Sequence, residues 1–162
     1  MKEFTCVIHA GAGLIKPPEN DPEKWQKECH QGLRDALKAA GNILGSGGQA
    51  VDAVIAAVRI LEDNPHFNAG RGAVLTASGT AELDASVMDG RDRSAGAVTN
   101  IKTIKNPVLA AEVVMRHSPH TLRAGDGAEA LARHYGLDIV ANDYFYTKER
   151  QEALEKVKSK AQ

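Results

Sequence analysis

The chain has 162 residues and a net charge of -1, from 20 Lys and Arg against 21 Asp and Glu. That length suits one domain with its own core, and so balanced a charge excludes a protein that tracks nucleic-acid phosphates over a basic face. Hydrophobic residues at 43% and charged residues at 25% exclude wholesale disorder.

Phe4 to His9 is nearly all apolar and predicts a short strand buried on both faces, running into Ala10-Gly11-Ala12-Gly13. Lys16 to Asp21 reads as a polar loop. Asp21-Pro22 then starts a helix that runs to Leu44 with Leu33, Leu37, Ala40 and Leu44 at helical spacing. Ser46-Gly47-Gly48-Gln49 matches a capping box, opening a second helix that buries Val51, Val54, Ile55, Val58 and Leu61. Ala73 to Thr76, Ala81 to Met88 and Gly96 to Ile101 follow as strands, with Ser78-Gly79 and Asp89-Gly90 as turns. That order predicts an antiparallel meander. Asn106-Pro107 opens a third helix through Met115, and Ala128 to Tyr135 makes a fourth. Thr147 to Gln162, rich in Lys and Glu, is a solvated helix or frayed tail. The order predicts an α+β layered domain.

The longest nearly apolar run, Ala53 to Ile60, contains Arg59 and is too short to span a bilayer. The N-terminus lacks the pattern of a secretion signal, and Cys6 and Cys29 make no disulfide framework, so the expected compartment is the cytoplasm. No membrane or nucleic-acid partner is expected.

Several chemistries fail on residue grounds. Gly11-Ala12-Gly13 begins like a dinucleotide fingerprint, but the sixth position is Lys16 and two prolines follow. His117 and His120 lack further ligands to complete a zinc site and suit a helix end instead. Glu82 and Asp84 share a strand face about 7 Å apart, near the spacing of a two-carboxylate hydrolase with Asp89 close by, yet acidic residues at turns are common. The most informative stretch is Asn64 to Gly72, with two asparagines and two glycines after a helix. Carbonyls turned inward there suit a hard alkali cation, and an amide such as Asn68 can face a reacting group. A helix end followed by a tight turn explains the same residues.

Taken in order, the clusters resemble the α subunit of plant-type L-asparaginases, or isoaspartyl peptidases, of the N-terminal nucleophile hydrolase superfamily. The matching pieces are Val7 to Gly13, Ala50 to Val54, Phe67 to Gly72, Asp84 to Gly90, Ser94 to Val98, Asn106-Pro107, Val114-Met115 and Ser118 to His120. The resemblance covers residues 4 to 146. Residues 1–146 would form the α half of one domain, and 147–162 would be a linker preceding the cut site.

The resemblance implies a four-layer αββα sandwich completed by a separate β chain. In that family a precursor cuts itself, and the new N-terminal Thr of the β chain is the nucleophile. This chain would then be the released α chain, paired with β, with two αβ pairs expected to dimerise. Its substrates would be L-asparagine and isoaspartyl dipeptides. By position, Leu61, Glu62, Asn64, Phe67, Ala69 and Arg71 would hold a structural sodium ion through main-chain oxygens. Asn68 would be the positioning residue near the nucleophile. Val114 to Thr121, with Val114, Met115, His120 and Thr121, resembles a potassium loop of some plant members; no organic cofactor is expected. His9, Ala10 and Gly11 match the loop thought to shift during self-cleavage, where the family usually has His-Gly-Gly and this chain has Ala10. The alternatives are a glycosylasparaginase or threonine-endopeptidase relative, or a non-catalytic ion-binding module if no β chain exists.

Overall fold

Asp21 and Pro22 start the first helix as their types dictate: Pro takes the first turn and the Asp21 carboxylate accepts the Lys24 N–H at 3.1 Å. The structure is a computed structural model that describes residues 3–11 and 21–160. Its order is α1 (Pro22–Gly45), α2 (Ala50–Asp63), β1 (Leu83–Met88), β2 (Ala95–Ile101), α3 (Pro107–His117), β3 (Leu122–Ala124), α4 (Gly125–His134), a 3-10 turn (Asn142–Phe145) and α5 (Lys148–Lys160). The expected α+β class holds.

The sheet runs β1-β2-β3, antiparallel between β1 and β2 and parallel between β2 and β3. Alternation, reset in β2 by one bulge, puts Leu83, Val87, Val98 and Ile101 into the core, under α3 and α4. Asp84, Ser86, Met88, Leu122 and Ala124 lie on the exposed side. A register shift falls between Leu83 and Ala85, opposite Asn100 at φ 52. The Asp84 carboxylate closes this bulge by accepting the Thr99 hydroxyl at 2.6 Å and the Asn100 N–H at 2.9 Å. Those bonds hold its pKa below the usual carboxylate range.

A second cluster joins α1 to α2. Small residues on both helices, Ala36 and Ala40 against Ala53 and Ala57, allow close approach, and Leu61 and Phe67 complete it. Helix α2 is therefore buried on two sides, with Val51 and Ile55 in the sheet core and Ala53, Ala57 and Leu61 in the other. Val54, expected inside, is 42% exposed because it falls between those two stripes.

Three further expectations are corrected. Phe4 to His9 is not a strand buried on both faces: no described strand pairs with it, and Phe4 and Val7 are 48% and 83% exposed. Only alternate residues, Cys6, Ile8 and Ala10, pack inward, against the second cluster. Ser46 does not cap α2. Gly47 turns left-handed at φ 84, Gly48 N–H returns to the Ile43 carbonyl at 2.8 Å, and the Ser46 hydroxyl donates to the same carbonyl at 2.9 Å, so Ser46 closes α1. Ala73 to Thr76 forms a single bridge, Leu75 to Ala81, in place of a strand, because a turn follows at once. The expected polar loop from Lys16 lies outside the described residues up to Asn20. No helix among the described residues is long and apolar enough to cross a membrane.

Candidate functional site

Helix α2 ends at Asp63 because Asn64 turns to extended geometry, and the chain then folds back over the helix end. The Arg71 N–H donates to the Glu62 carbonyl at 2.7 Å and the Ala73 N–H to the Gly70 carbonyl at 2.9 Å. The Phe67 N–H donates to the Asn64 carbonyl at 3.3 Å. Glycine is required here: a Cβ on Gly70 would lie 2.6 Å from the Glu62 carbonyl oxygen, and one on Gly72, at φ 93, would collide with the Pro65 carbonyl. Helix α1 backs the loop, since a Cβ on Gly32 would meet the Phe67 ring at 3.0 Å.

The loop thus gathers Leu61, Glu62, Asn64, Phe67, Ala69 and Arg71 within one compact turn. The carbonyls of Leu61, Glu62 and Asn64 each accept a backbone N–H, from Asn64, Arg71 and Phe67. Each carbonyl oxygen keeps a second lone pair, and an all-oxygen main-chain set fits a hard alkali cation. No group of three or more His, Cys, Asp or Glu side chains converges on a metal position among the described residues.

Asn68 is exposed at the loop's tip, and its side-chain oxygen accepts the Val74 N–H at 2.8 Å. That bond fixes the amide plane. Ile8 and Ala10 pack on the cluster that contains residues of α1 and α2 together with Phe67. The Gly11 N–H donates to His9 Nδ1 at 3.2 Å, and Gly11 carries φ 107. Ala10 keeps a negative φ; among the described residues the only non-glycines at positive φ are Arg93 and Asn100.

The Glu62 side chain points away from the loop. It is 2% exposed, and Oε1 accepts the Val108 N–H at 2.8 Å in the first turn of α3. Burial pushes its pKa up to about 8 against the opposing hydrogen bond from the Val108 N–H. Its other oxygen has no partner.

Val114 and Met115 lie in the last turns of α3, roughly 9–10 Å along the helix from Val108, and His120 and Thr121 follow its end. The structure does not bring that loop to the first one. Its Val114 carbonyl accepts the Ser118 N–H at 3.1 Å and its Thr121 carbonyl the Ala97 N–H at 2.8 Å. His117 stacks on Tyr135 at 4.7 Å. The carboxylates weighed as an acid pair are each engaged elsewhere: Glu82 with Lys102 at 3.1 Å, Asp84 in the bulge, and Asp89 with Arg91 at 2.5 Å.

Residues 2–162 match the family described as "Asparaginase". The chain belongs to the asparaginase family. Among its relatives, the isoaspartyl peptidase/L-asparaginase of Rattus norvegicus is 46% identical over 96% of this chain and 45% of its own length. The isoaspartyl peptidase of Salmonella typhimurium is 44% identical over 95% of this chain and 49% of its own length. The isoaspartyl peptidase/L-asparaginase of Homo sapiens is 42% identical, covering 98% of this chain and 49% of the relative. The chain therefore spans about half the length of the curated relatives it matches.

Within this chain the loop is held by residues that motif reading did not single out. Phe145, fully buried, accepts the Gly72 N–H at 2.9 Å through its carbonyl, and Arg150 Nε donates to the Gly72 carbonyl at 2.7 Å. Asn142 ties the 3-10 turn to the sheet entry through both Ala81 backbone groups and the Lys102 carbonyl. The contacts run over tens of residues; the buried aromatic in Tyr144-Phe145-Tyr146 was the one signal available locally.

Proposed function

We propose that this chain is the α part of a self-cleaving threonine-nucleophile hydrolase that releases L-aspartate from L-asparagine and from isoaspartyl dipeptides. The observation that carries this reading is 42–46% identity, over nearly the whole chain, to proteins named isoaspartyl peptidase or isoaspartyl peptidase/L-asparaginase. The nucleophile would be the N-terminal Thr of a β chain from the same precursor. Its hydroxyl, losing a proton to its own α-amine, attacks the side-chain amide or isopeptide carbonyl. The C–N bond breaks, the departing amine takes that proton, and water hydrolyses the aspartyl ester.

This chain contributes support and position. Asn68, its amide plane set by Val74, orients groups beside the nucleophile. Leu61, Glu62, Asn64, Phe67, Ala69 and Arg71 would hold Na+ through main-chain oxygens, and the ion would supply fixed positive charge that rigidifies the loop. The carbonyls of Val114, Met115, His120 and Thr121 offer a larger alkali cation, K+, a second place on the same chemistry. The exposed sheet side, where Met88 is 58% and Leu122 54% exposed, supports a β-chain sheet packing there to complete an αββα sandwich. Two αβ pairs would then dimerise, in the cytoplasm.

The test is denaturing intact-mass analysis and N-terminal sequencing of the full-length native protein, with aspartate release measured from L-asparagine and an isoaspartyl dipeptide. A second chain beginning with Thr, together with aspartate release, is expected. A single uncut species, or no release from either substrate, overturns the reading.

A further inference from the structure

Helix α5 has no buried residue, and its Lys- and Glu-rich sequence gives it little reason to stay in place. At 13 residues such a helix is marginal in water. Only Arg150 and Leu154 among its residues are half-buried. They stand four residues apart, one above the other on a single helix face. Leu154 packs against the core cluster that contains Leu75. Arg150 Nε donates at 2.7 Å to the carbonyl of Gly72, one residue past the carbonyl loop.

That attachment point is not neutral ground. Gly72 is fixed from its other side by Phe145, and two residues later Val74 donates to Asn68. Val74 also forms one wall of an apolar groove of about 440 Å³ whose other wall is α5, with Ala153, Leu154 and Val157. The tail helix therefore rests on the strand of backbone that orients the Asn68 amide.

We propose that Arg150 is a positioning residue that couples α5 to the Asn68 loop, making α5 a docked strap. Resting on the proposed function, the strap sets where the chain beyond it lies relative to Asn68 in the uncut precursor. Guanidinium is suited to this task because its Nε–H is held in a rigid plane and stays charged at any working pH.

The experiment compares full-length wild type with Arg150→Met, Arg150→Lys and Leu154→Ala. Amide hydrogen exchange is read in residues 148–158 and 68–76, and precursor cleavage is followed by pulse–chase. Arg150→Met is expected to raise exchange about tenfold in both segments, with Lys restoring most of the protection. Leu154→Ala, removing the other anchor, gives the same paired pattern. Cleavage of Arg150→Met slows about tenfold, the scale expected when a reacting segment is misplaced. Exchange rising only in 148–158, or in neither segment, overturns the coupling. Paired loosening with cleavage at the wild-type rate overturns the positioning role. If wild type yields no second chain, the proposed function falls, while the exchange comparison still decides the coupling.

Discussion

The Glu62 carboxyl accepts the Val108 N–H at 2.8 Å across 46 residues of sequence, joining the end of α2 to the start of α3. Asn106, the residue before α3, makes no capping bond of its own and instead donates to Asp63 at 3.1 Å. Replacing Glu62 by Leu leaves a buried N–H without an acceptor, which costs about 1–3 kcal/mol. Glu62→Gln keeps the accepting oxygen and is expected to lose less than half as much. Denaturant unfolding of the full-length protein decides this; equal stability of the Leu and Gln variants refutes it.

Glu129 gives stability a defined pH dependence. Burial alone would raise its pKa, but the Thr103 hydroxyl, the Lys102 and Thr103 N–H groups and Arg133 outweigh it, so the net shift is downward. A group whose pKa is depressed on folding stabilises the protein above its unfolded pKa. That contribution disappears as pH falls through the folded value. Melting temperature should therefore drop below about pH 4.5 more steeply in wild type than in Glu129→Gln. Parallel pH profiles for the two proteins contradict the assignment.

The sequence made the local elements readable and concealed the long-range ones. Asp21-Pro22 and Asn106-Pro107 mark helix starts through chemistry confined to two residues. Glu62 capping α3, Asp84 closing the β2 bulge and Arg150 reaching Gly72 join positions 46, 16 and 78 residues apart, which no local pattern encodes. Ser46 shows the opposite error: capping-box spacing was present, but a left-handed Gly47 assigned the serine to the helix behind it. The carbonyl loop was legible through its glycines, since Gly70 and Gly72 sit where a Cβ would strike backbone. Phe4 to His9 misled because an apolar run encodes burial without naming its partner.

Gly96 tests how closely α3 lies on the sheet. A Cβ there would sit 2.8 Å from Met115 Cα and would strike the Ala111 carbonyl, both backbone groups that cannot swing aside. Gly96→Ala is expected to destabilise by about 3 kcal/mol or more, beyond ordinary overpacking, because a helix has to move. Stability within 1 kcal/mol of wild type, read as an order-of-magnitude threshold for surface-like tolerance, would contradict the contact.

Ala10, where the resemblance leads one to expect glycine, lies at a negative φ. Ala10→Gly therefore leaves the folded packing of Ile8 and Cys6 in place and frees the segment to reach angles Ala resists. The expected result is faster precursor cleavage, with a stability loss of about 0.5–1 kcal/mol from the more flexible unfolded chain. Identical cleavage rates in the two precursors would remove the restriction argument.

The proposal that main-chain oxygens of the Leu61 to Arg71 loop hold sodium is testable as a change in stability. An ion that binds the folded state alone, at ten times its dissociation constant, stabilises by about 1.4 kcal/mol. Full-length protein should melt higher in NaCl than in choline chloride at equal ionic strength, with a saturating dependence on Na+. Gly70→Ala places a Cβ 2.6 Å from the Glu62 carbonyl oxygen and would push that oxygen out of the proposed donor set. The variant should lose the Na+ increment as well as some baseline stability. Because the comparison is between salts within each protein, the baseline loss cannot imitate the lost increment. A variant that keeps the full Na+ increment, or a wild type that shows none, excludes the loop as the sodium site.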